Sequence, residues 1–333
     1  MQIRKITALI DKCKADSVVL LCHHNADPDA VCAAFAFSKL LKRLRPKLNI
    51  EIAAAQGPSR LTKFMLKSLP IKLTTHPHIE KADVVVLLDT NTIQQLDEWS
   101  ERVRTSNSPL IIVDHHAKHP ETEHLATICV SEEEAASTCE IVYRFFKEAK
   151  VKLEQIEAKA LFLGIAFDTR HFILATSATL KTVADLVDSG VNVQETLSLL
   201  SLPMTESERI ARLKASRRAK LLKVGKWMIA LSHVSAYQSS AARALIRLGA
   251  DVAVVLGQRG DEIQASLRSN RDFHKETGIH LGRDIAKPLG EYLHGMGGGH
   301  SVSAGANGIG EVKRSLKCCA QLLKEKLKQP FSE

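Results

Sequence analysis

The chain has 333 residues, 45% of them hydrophobic and 25% charged, which is enough apolar content to bury a core in each of two domains. No apolar run approaches the ~20 residues needed to cross a bilayer. The seven cysteines are odd in number and form no CxxC pair, which argues against a disulfide framework or zinc ribbon and for a reducing compartment, the cytoplasm. The formal charge of +9 favours phosphate-bearing partners without choosing among them.

The opening stretch MQIRKITALIDKCKADS lacks the uninterrupted apolar segment of a signal peptide. Residues 18–22 (VVLLC) are a short β-branched run ending in the polar loop 23–29 (HHNADPD). Residues 30–44 carry helical propensity and a basic end that suits the helix dipole. Strands are predicted at 49–55, 83–89 and 109–116. The 83–89 run, DVVVLLD, has the unbroken aliphatics of a buried parallel strand. Helices are predicted at 133–149 and 153–167. This alternation predicts an α/β domain over 1–190, its parallel sheet flanked by helices. The stretch 191–224 has no strand character and reads as a helical linker, broken near Pro203. Over 225–333, strands at 226–234, 251–258 and 262–269 alternate with helices at 238–248 and near 280–292. A glycine-rich turn follows, giving a smaller α/β domain.

Three strand-like runs of the first domain end in charged or imidazole residues, and ligand sites of open parallel sheets lie beyond the carboxyl ends of strands. In the first loop His23, Asp27 and Asp29 offer the imidazole and carboxylate donors that manganese and similar cations accept. Asp27 or Asp29 equally suits the N-cap of the following helix. Asp89 ends the next strand, and Asp114, His115 and His116 end the one after. A lone terminal aspartate serves as a cap or turn residue, and adjacent histidines serve as a solvated pair. Asp168, in FLGIAFDTRHF, is a fourth element end. Four independent ends carrying metal-ligand residue types exceed what capping accounts for. His24 reads as a residue outside the ligand set and His119 as a loop residue beside Pro120; Arg170 and His171 are minor candidates for substrate contact. In the second half, Gly297, Gly298 and Gly299 with His300 present backbone N–H groups to a phosphate or simply make a tight turn. Arg268 offers a planar fork for phosphate, with Ser269 and Asn270 as further donors. Arg283 is a lesser candidate.

The pattern HxxxDxD (His23, Asp27, Asp29), strand-terminal Asp89, the DHH triplet 114–116 and GIxxDT around Asp168 resemble the four motifs of the DHH phosphoesterase family. LRSN (267–270) and GMGGGHSVSAGANG (295–308) resemble the DHHA1 domain that accompanies DHH in several branches. The layout is most similar to the oligoribonuclease/pAp-phosphatase (nanoRNase) branch. The resemblance implies a DHH lobe at 1–190, a helical linker at 191–224 and a DHHA1 lobe at 225–333. It implies two Mn2+ ions, with Mg2+ or another divalent cation as substitutes. His23 and Asp27 would hold the first and Asp29, His115 and Asp168 the second, with Asp89 bridging. It further implies catalytic roles for Asp89, for Asp114 in orienting the adjacent histidines, and for His116 facing the scissile phosphate. Substrate contacts would come from Arg268, Ser269, Asn270, Gly297, Gly298, Gly299 and His300.

The reaction so implied is hydrolysis of short RNA, or of small nucleotides such as pAp, to mononucleotides. Aromatic residues are only 5% of the chain, which argues mildly against a surface that holds long single strands. A cyclic di-AMP or other dinucleotide phosphodiesterase and a RecJ-like single-strand exonuclease share the mechanism. A pyrophosphatase would need a second lobe denser in lysine and arginine. Outside enzymes, the alternative is an RNA-binding module with a vestigial metal site. No membrane partner is expected, and a homodimer is left open.

Overall fold

Five parallel strands form the sheet of the first unit: β1 (Ser17–Cys22), β2 (Asn49–Ala54), β3 (Val84–Leu88), β4 (Leu110–Asp114) and β5 (Ile128–Ser131). Their spatial order is β2-β1-β3-β4-β5. The structure is a computed structural model and describes residues 1–328; residues 329–333 of the expected second lobe lie outside the described residues. Every residue of β3 and β4 is buried, because both faces of the sheet are covered. On one face Val84, Val86 and Leu88 pack with α1 (Gln2–Lys12), α2 (Pro28–Leu44), α3 (Thr138–Ala149) and α4 (Gln155–Asp168), and α5 (Ser177–Asp188) adds Leu186. On the other, Val85 and Leu87 meet short helical turns that carry Ile79, Leu96, Trp99 and Val103. The chain pairs β1 first with β2 on one side and then with β3 on the other. The topological switch point therefore lies between β1 and β3, where such sheets open a crevice. Ala33, Ala34 and Ala36 of α2 are fully buried small residues, and they leave room for α4 to approach closely.

The second unit begins at Pro203. After α6 (Glu206–Arg218) it holds a six-stranded mixed sheet in the order β10-β11-β9-β8-β7-β6. The strands are β6 (Lys220–Val224), β7 (Trp227–His233), β8 (Val252–Arg259), β9 (Glu262–Ser269), β10 (Met296–Gly299) and β11 (Ser303–Ile309). Its helices are α7 (Gln238–Arg247), α8 (Arg271–Thr277), α9 (Lys287–Tyr292), which continues a π-helical stretch Leu281–Ala286, and α10 (Val312–Lys328).

Two expectations are corrected here. Residues 220–224 are not part of a helical linker: they form β6, paired antiparallel with β7. As an edge strand β6 buries little of either face, so its sequence KLLKV shows no alternation. The glycine-rich turn at 295–300 is in fact strand β10, joined to β11 by a short reversal in which His300 N donates to Ser303 O at 2.8 Å. A side chain at Gly297 would collide with the Ala286 carbonyl, so the glycine there lets a helix lie on the strand. Among the described residues no helix is long and apolar enough to cross a membrane.

Candidate metal centre

The acidic and imidazole residues of the first unit converge at the carboxyl ends of β1, β3 and β4, three adjacent strands. His23 follows β1, and its Nδ1 lies 2.8 Å from the His24 carbonyl. With Nδ1 donating there, Nε2 faces Asp27 Oδ2 at 3.9 Å and Asp89 Oδ2 at 3.8 Å. Asp27 divides its two oxygens. Oδ1 caps α2 by accepting from Asp29 N (2.9 Å) and Ala30 N (3.1 Å), and Oδ2 turns to His23. Capping and ligand geometry thus coexist in one side chain.

Asp29 is fully buried and anchored by the start of α3: its Oδ2 accepts from Thr138 N at 2.7 Å and its Oδ1 from Cys139 N at 3.0 Å. Asp89 sits one residue past β3 with φ +53°, a left-handed conformation that aspartate tolerates better than most residues. Its Oδ1 accepts the Thr138 hydroxyl at 3.0 Å and lies 3.5 Å from His115 Nε2. Asp168 is the last residue of α4, where the helix dipole disfavours a carboxylate; its Oδ2 is 3.1 Å from His115 Nε2. Asp114 ends β4. Its Oδ1 accepts from His116 N and pairs with His116 Nδ1, each at 2.7 Å.

Donor atoms of His23, Asp27 and Asp89 lie within 4.8 Å of one another, and so do those of Asp29, His115 and Asp168. Asp89 reaches both groups, with Oδ2 towards His23 and Oδ1 towards His115. A third grouping joins Asp89 with Asp114, His115 and His116. The residues fit divalent cations on three counts. His115 Nε2 is buried without a hydrogen-bond partner although it lies close to two carboxylates. Burial, then the neighbouring Asp168 charge, pushes the Asp29 carboxyl up to about 8, and burial with Asp29 and Asp27 alongside drives Asp89 well above the carboxylate range. Burial works against the charged form of His23 and His115, yet the carboxylates around them win and raise each to about 9. Desolvated acids that repel one another and hold protons from water are the donor set that a bound cation relieves.

Sequence reasoning missed Thr138, Cys139 and Gly164. A Cβ at Gly164 of α4 would stand 2.6 Å from Asp29 Oδ1 and closer still to Cys139 Sγ. The glycine ahead of Asp168 in the GIxxDT segment was the available signal. His24 is exposed, its Nδ1 3.1 Å from the Gln95 carbonyl. His119 stands at the N-cap of a short helix beginning at Pro120. Arg170 and His171 are exposed in a left-handed turn after α4.

In the second unit Arg268 shares a groove of about 350 Å3 with Gly298, Gly299 and Ser303, and its Nη2 donates to Ser239 Oγ at 2.7 Å. His300 is exposed at the β10–β11 reversal. The expectation that Ser269 and Asn270 join Arg268 is corrected. Strand alternation puts Ser269 on the opposite face of β9. Asn270 is occupied in capping α8, accepting from Phe273 N and donating to Asp251 Oδ1, each at 2.8 Å. Arg283 is ion-paired with Asp284.

A doubly covered parallel sheet with carboxylates and imidazoles gathered at its switch point defines an α/β protein with a site suited to divalent cations. Residues 17–165 match the model of the DHH family, N-terminal domain. A relative in Methanocaldococcus jannaschii, an uncharacterized protein, is 35% identical over 306 residues, covering 90% of this chain and 89% of its own length. The chain belongs to the DHH family and is a phosphoesterase. A probable manganese-dependent inorganic pyrophosphatase of Lactococcus lactis is 30% identical over 192 residues, 54% of this chain and 58% of that protein. A cyclic-di-AMP phosphodiesterase of Geobacillus thermodenitrificans is 26% identical over 329 residues, 91% of this chain but 47% of that longer protein.

Proposed function

We propose that the chain is a Mn2+-dependent phosphodiesterase that hydrolyses short oligoribonucleotides, and small nucleotides such as pAp, to mononucleotides. The observation that carries the two-cation part of this reading is Asp89, one carboxylate turned towards two separate donor sets; the short-RNA substrate follows from the resemblance of the two lobes to the nanoRNase branch. His23 and Asp27 would hold one cation and Asp29, His115 and Asp168 the other, with Asp89 within reach of both sets. Two divalent cations bound there supply Lewis acidity, lowering the pKa of a water towards ~7 and neutralising charge on phosphoryl oxygens.

The chain's own groups organise the rest. The N–H groups of Thr138 and Cys139 fix Asp29, and the Thr138 hydroxyl fixes Asp89. Asp114 holds His116 through Nδ1, which leaves Nε2 of this half-exposed ring for a non-bridging phosphate oxygen. The Asp114 hydrogen bond raises the His116 pKa above its ordinary value, which favours the protonated ring that could donate to the phosphate. The second unit is assigned the DHHA1 role, in which Arg268, the exposed His300 side chain and the glycine backbone at Gly298 and Gly299 hold a substrate phosphate. The cytoplasm is the compartment that suits an RNA substrate and unpaired cysteines.

The wall around Arg268 offers one guanidinium among small residues, unlike the dense positive lining that a pyrophosphate chain requires. The pyrophosphatase relative also aligns with only 54% of this chain. The match of a cyclic-di-AMP phosphodiesterase to 91% of the chain favours a cyclic dinucleotide as the second reading. The test is turnover by Mn2+-loaded protein on RNAs from two to about twenty-four nucleotides, with pAp and cyclic di-AMP alongside. Release of mononucleotides fastest from the shortest RNAs supports the proposal. Preference for cyclic di-AMP moves the substrate class, and RNA binding without turnover removes the enzyme.

A further inference from the structure

One face of the second unit's sheet continues past Arg268 in a direction that a phosphate site alone does not require. On β9, alternation places Glu262, Gln264, Ser266 and Arg268 on one face and Ile263, Ala265 and Leu267 in the core. The register aligns Gln264 with Asn307 of β11 on one side and with Gly257 of β8 on the other, and Asn307 in turn with Met296 of β10. A single cross-strand row therefore runs Met296–Asn307–Gln264–Gly257. At its end the Gln238 side chain, from the first turn of α7, lies over Gly257, where any Cβ would collide with it.

This row lines a groove of about 540 Å3, separate from but adjoining the groove that holds Arg268 and Gly298. Gln264 and Gln238 border both grooves, so the two are continuous. Gln264 lies four positions before Arg268 on β9, about 13 Å of strand, so the row extends well past the cationic end of the groove. The chemistry changes along that path. The Arg268 end is cationic and glycine-rich, whereas the far row offers neutral amides and an exposed thioether. Gln264 is exposed and its amide makes no hydrogen bond among the described residues. Asn307 accepts from Met296 N through Oδ1, which keeps its NH2 free. Met296 is 76% exposed and Ile309, one row on, is 63% exposed. Amides that donate and accept, beside flat apolar contacts, are the combination that holds an unstacked nucleobase.

We propose that the row Met296–Asn307–Gln264 is a nucleobase subsite for a nucleotide beyond the one whose phosphate Arg268 holds, so that the second unit binds a short strand instead of a single phosphate. The inference rests on the phosphodiesterase reading and adds to it a determinant of substrate length. Its test compares initial rates on 5′-phosphorylated di-, tri- and tetraribonucleotides for wild type, Gln264→Ala and Gln264→Glu, all Mn2+-loaded. Gln264 is exposed, so neither change threatens folding.

Losing one amide contact raises KM for the tri- and tetranucleotide about five-fold in Gln264→Ala. The added charge raises it further in Gln264→Glu, with kcat unchanged and the dinucleotide within about two-fold of wild type. Active wild type with variants that match it at every length overturns the subsite alone. Equal loss at every length, the dinucleotide included, also overturns it and assigns Gln264 a merely structural role. Wild type that hydrolyses none of the three overturns the phosphodiesterase reading, and the subsite with it.

Discussion

Replacing Gly164 by alanine tests how the metal centre is held. The added Cβ would lie 2.6 Å from Asp29 Oδ1 and 3.1 Å from Asp29 Cα, with Cys139 Sγ closer still, against an ordinary contact of 3.4 Å or more. Both neighbours are fully buried, and α3 holds the Asp29 carboxylate by two N–H groups. α2 and α4 must therefore separate, or Asp29 must leave its place, by a large part of an ångström. Overpacking of this kind costs about 1–3 kcal/mol. In a unit of the size of Met1–Leu202, that lowers the metal-free Tm by roughly 3–10 °C. Displacement of a reacting group by about 1 Å costs on the order of 10²-fold in rate. Calorimetry with and without Mn2+ separates the two effects. The double variant Gly164→Ala/Cys139→Ala removes the sulfur and recovers part of the Tm, but the Asp29 contact remains, so the Mn2+-induced gain stays reduced. A Gly164→Ala protein within about 1 °C of wild type that keeps its full Mn2+ stabilisation would show that the helices tolerate a methyl there and that Asp29 is not held by close packing.

Three further outcomes are expected. In metal-free protein Asp29 keeps its proton to about 8 and His23 and His115 keep theirs to about 9, so the folded state binds more protons than the unfolded state across this range. Metal-free stability therefore falls as pH rises from about 4 to about 9, and saturating Mn2+ flattens the fall; a metal-free Tm that climbs between pH 6 and 8 contradicts this. His116→Ala lowers kcat by about 10²–10³-fold while Mn2+ binding, followed by titration calorimetry, stays near wild type. Arg268→Ala raises KM about ten-fold or more with little change in kcat, because it removes a charged contact made to bound substrate before and during reaction.

Most of the metal cluster was legible in the sequence because parallel strands deliver their ends to one edge, so the segments at His23–Asp29, Asp89 and Asp114–His116 could be expected to converge, whereas Asp168 arrives from the end of helix α4. Their register across β1, β3 and β4 follows from aliphatic runs with few alternatives. What stayed hidden depends on contacts distant in sequence. Thr138 and Cys139 matter only because α3 points its first N–H groups at Asp29, 109 and 110 residues earlier. Gly164 matters only because α4 crosses α2 at that point. β5 has one fully buried residue among its four and carries no strand pattern. β10 is an edge strand in which Gly297 makes room for the Ala286 carbonyl and Gly299 for β11, so its composition reads as a turn. Ser269 and Asn270 adjoin Arg268 in sequence, but the strand turns Ser269 away and α8 claims Asn270.

Two cations sharing Asp89 are proposed to support phosphodiester hydrolysis together. The most direct test is to chelate the protein, return Mn2+ by equivalents, and follow hydrolysis of a 5′-phosphorylated diribonucleotide, with Asp89→Asn in parallel. Little activity is expected through the first equivalent per chain, a rise with the second, and none at any Mn2+ level in Asp89→Asn. Full activity at one equivalent, or activity that survives chelation, would contradict a shared two-cation site.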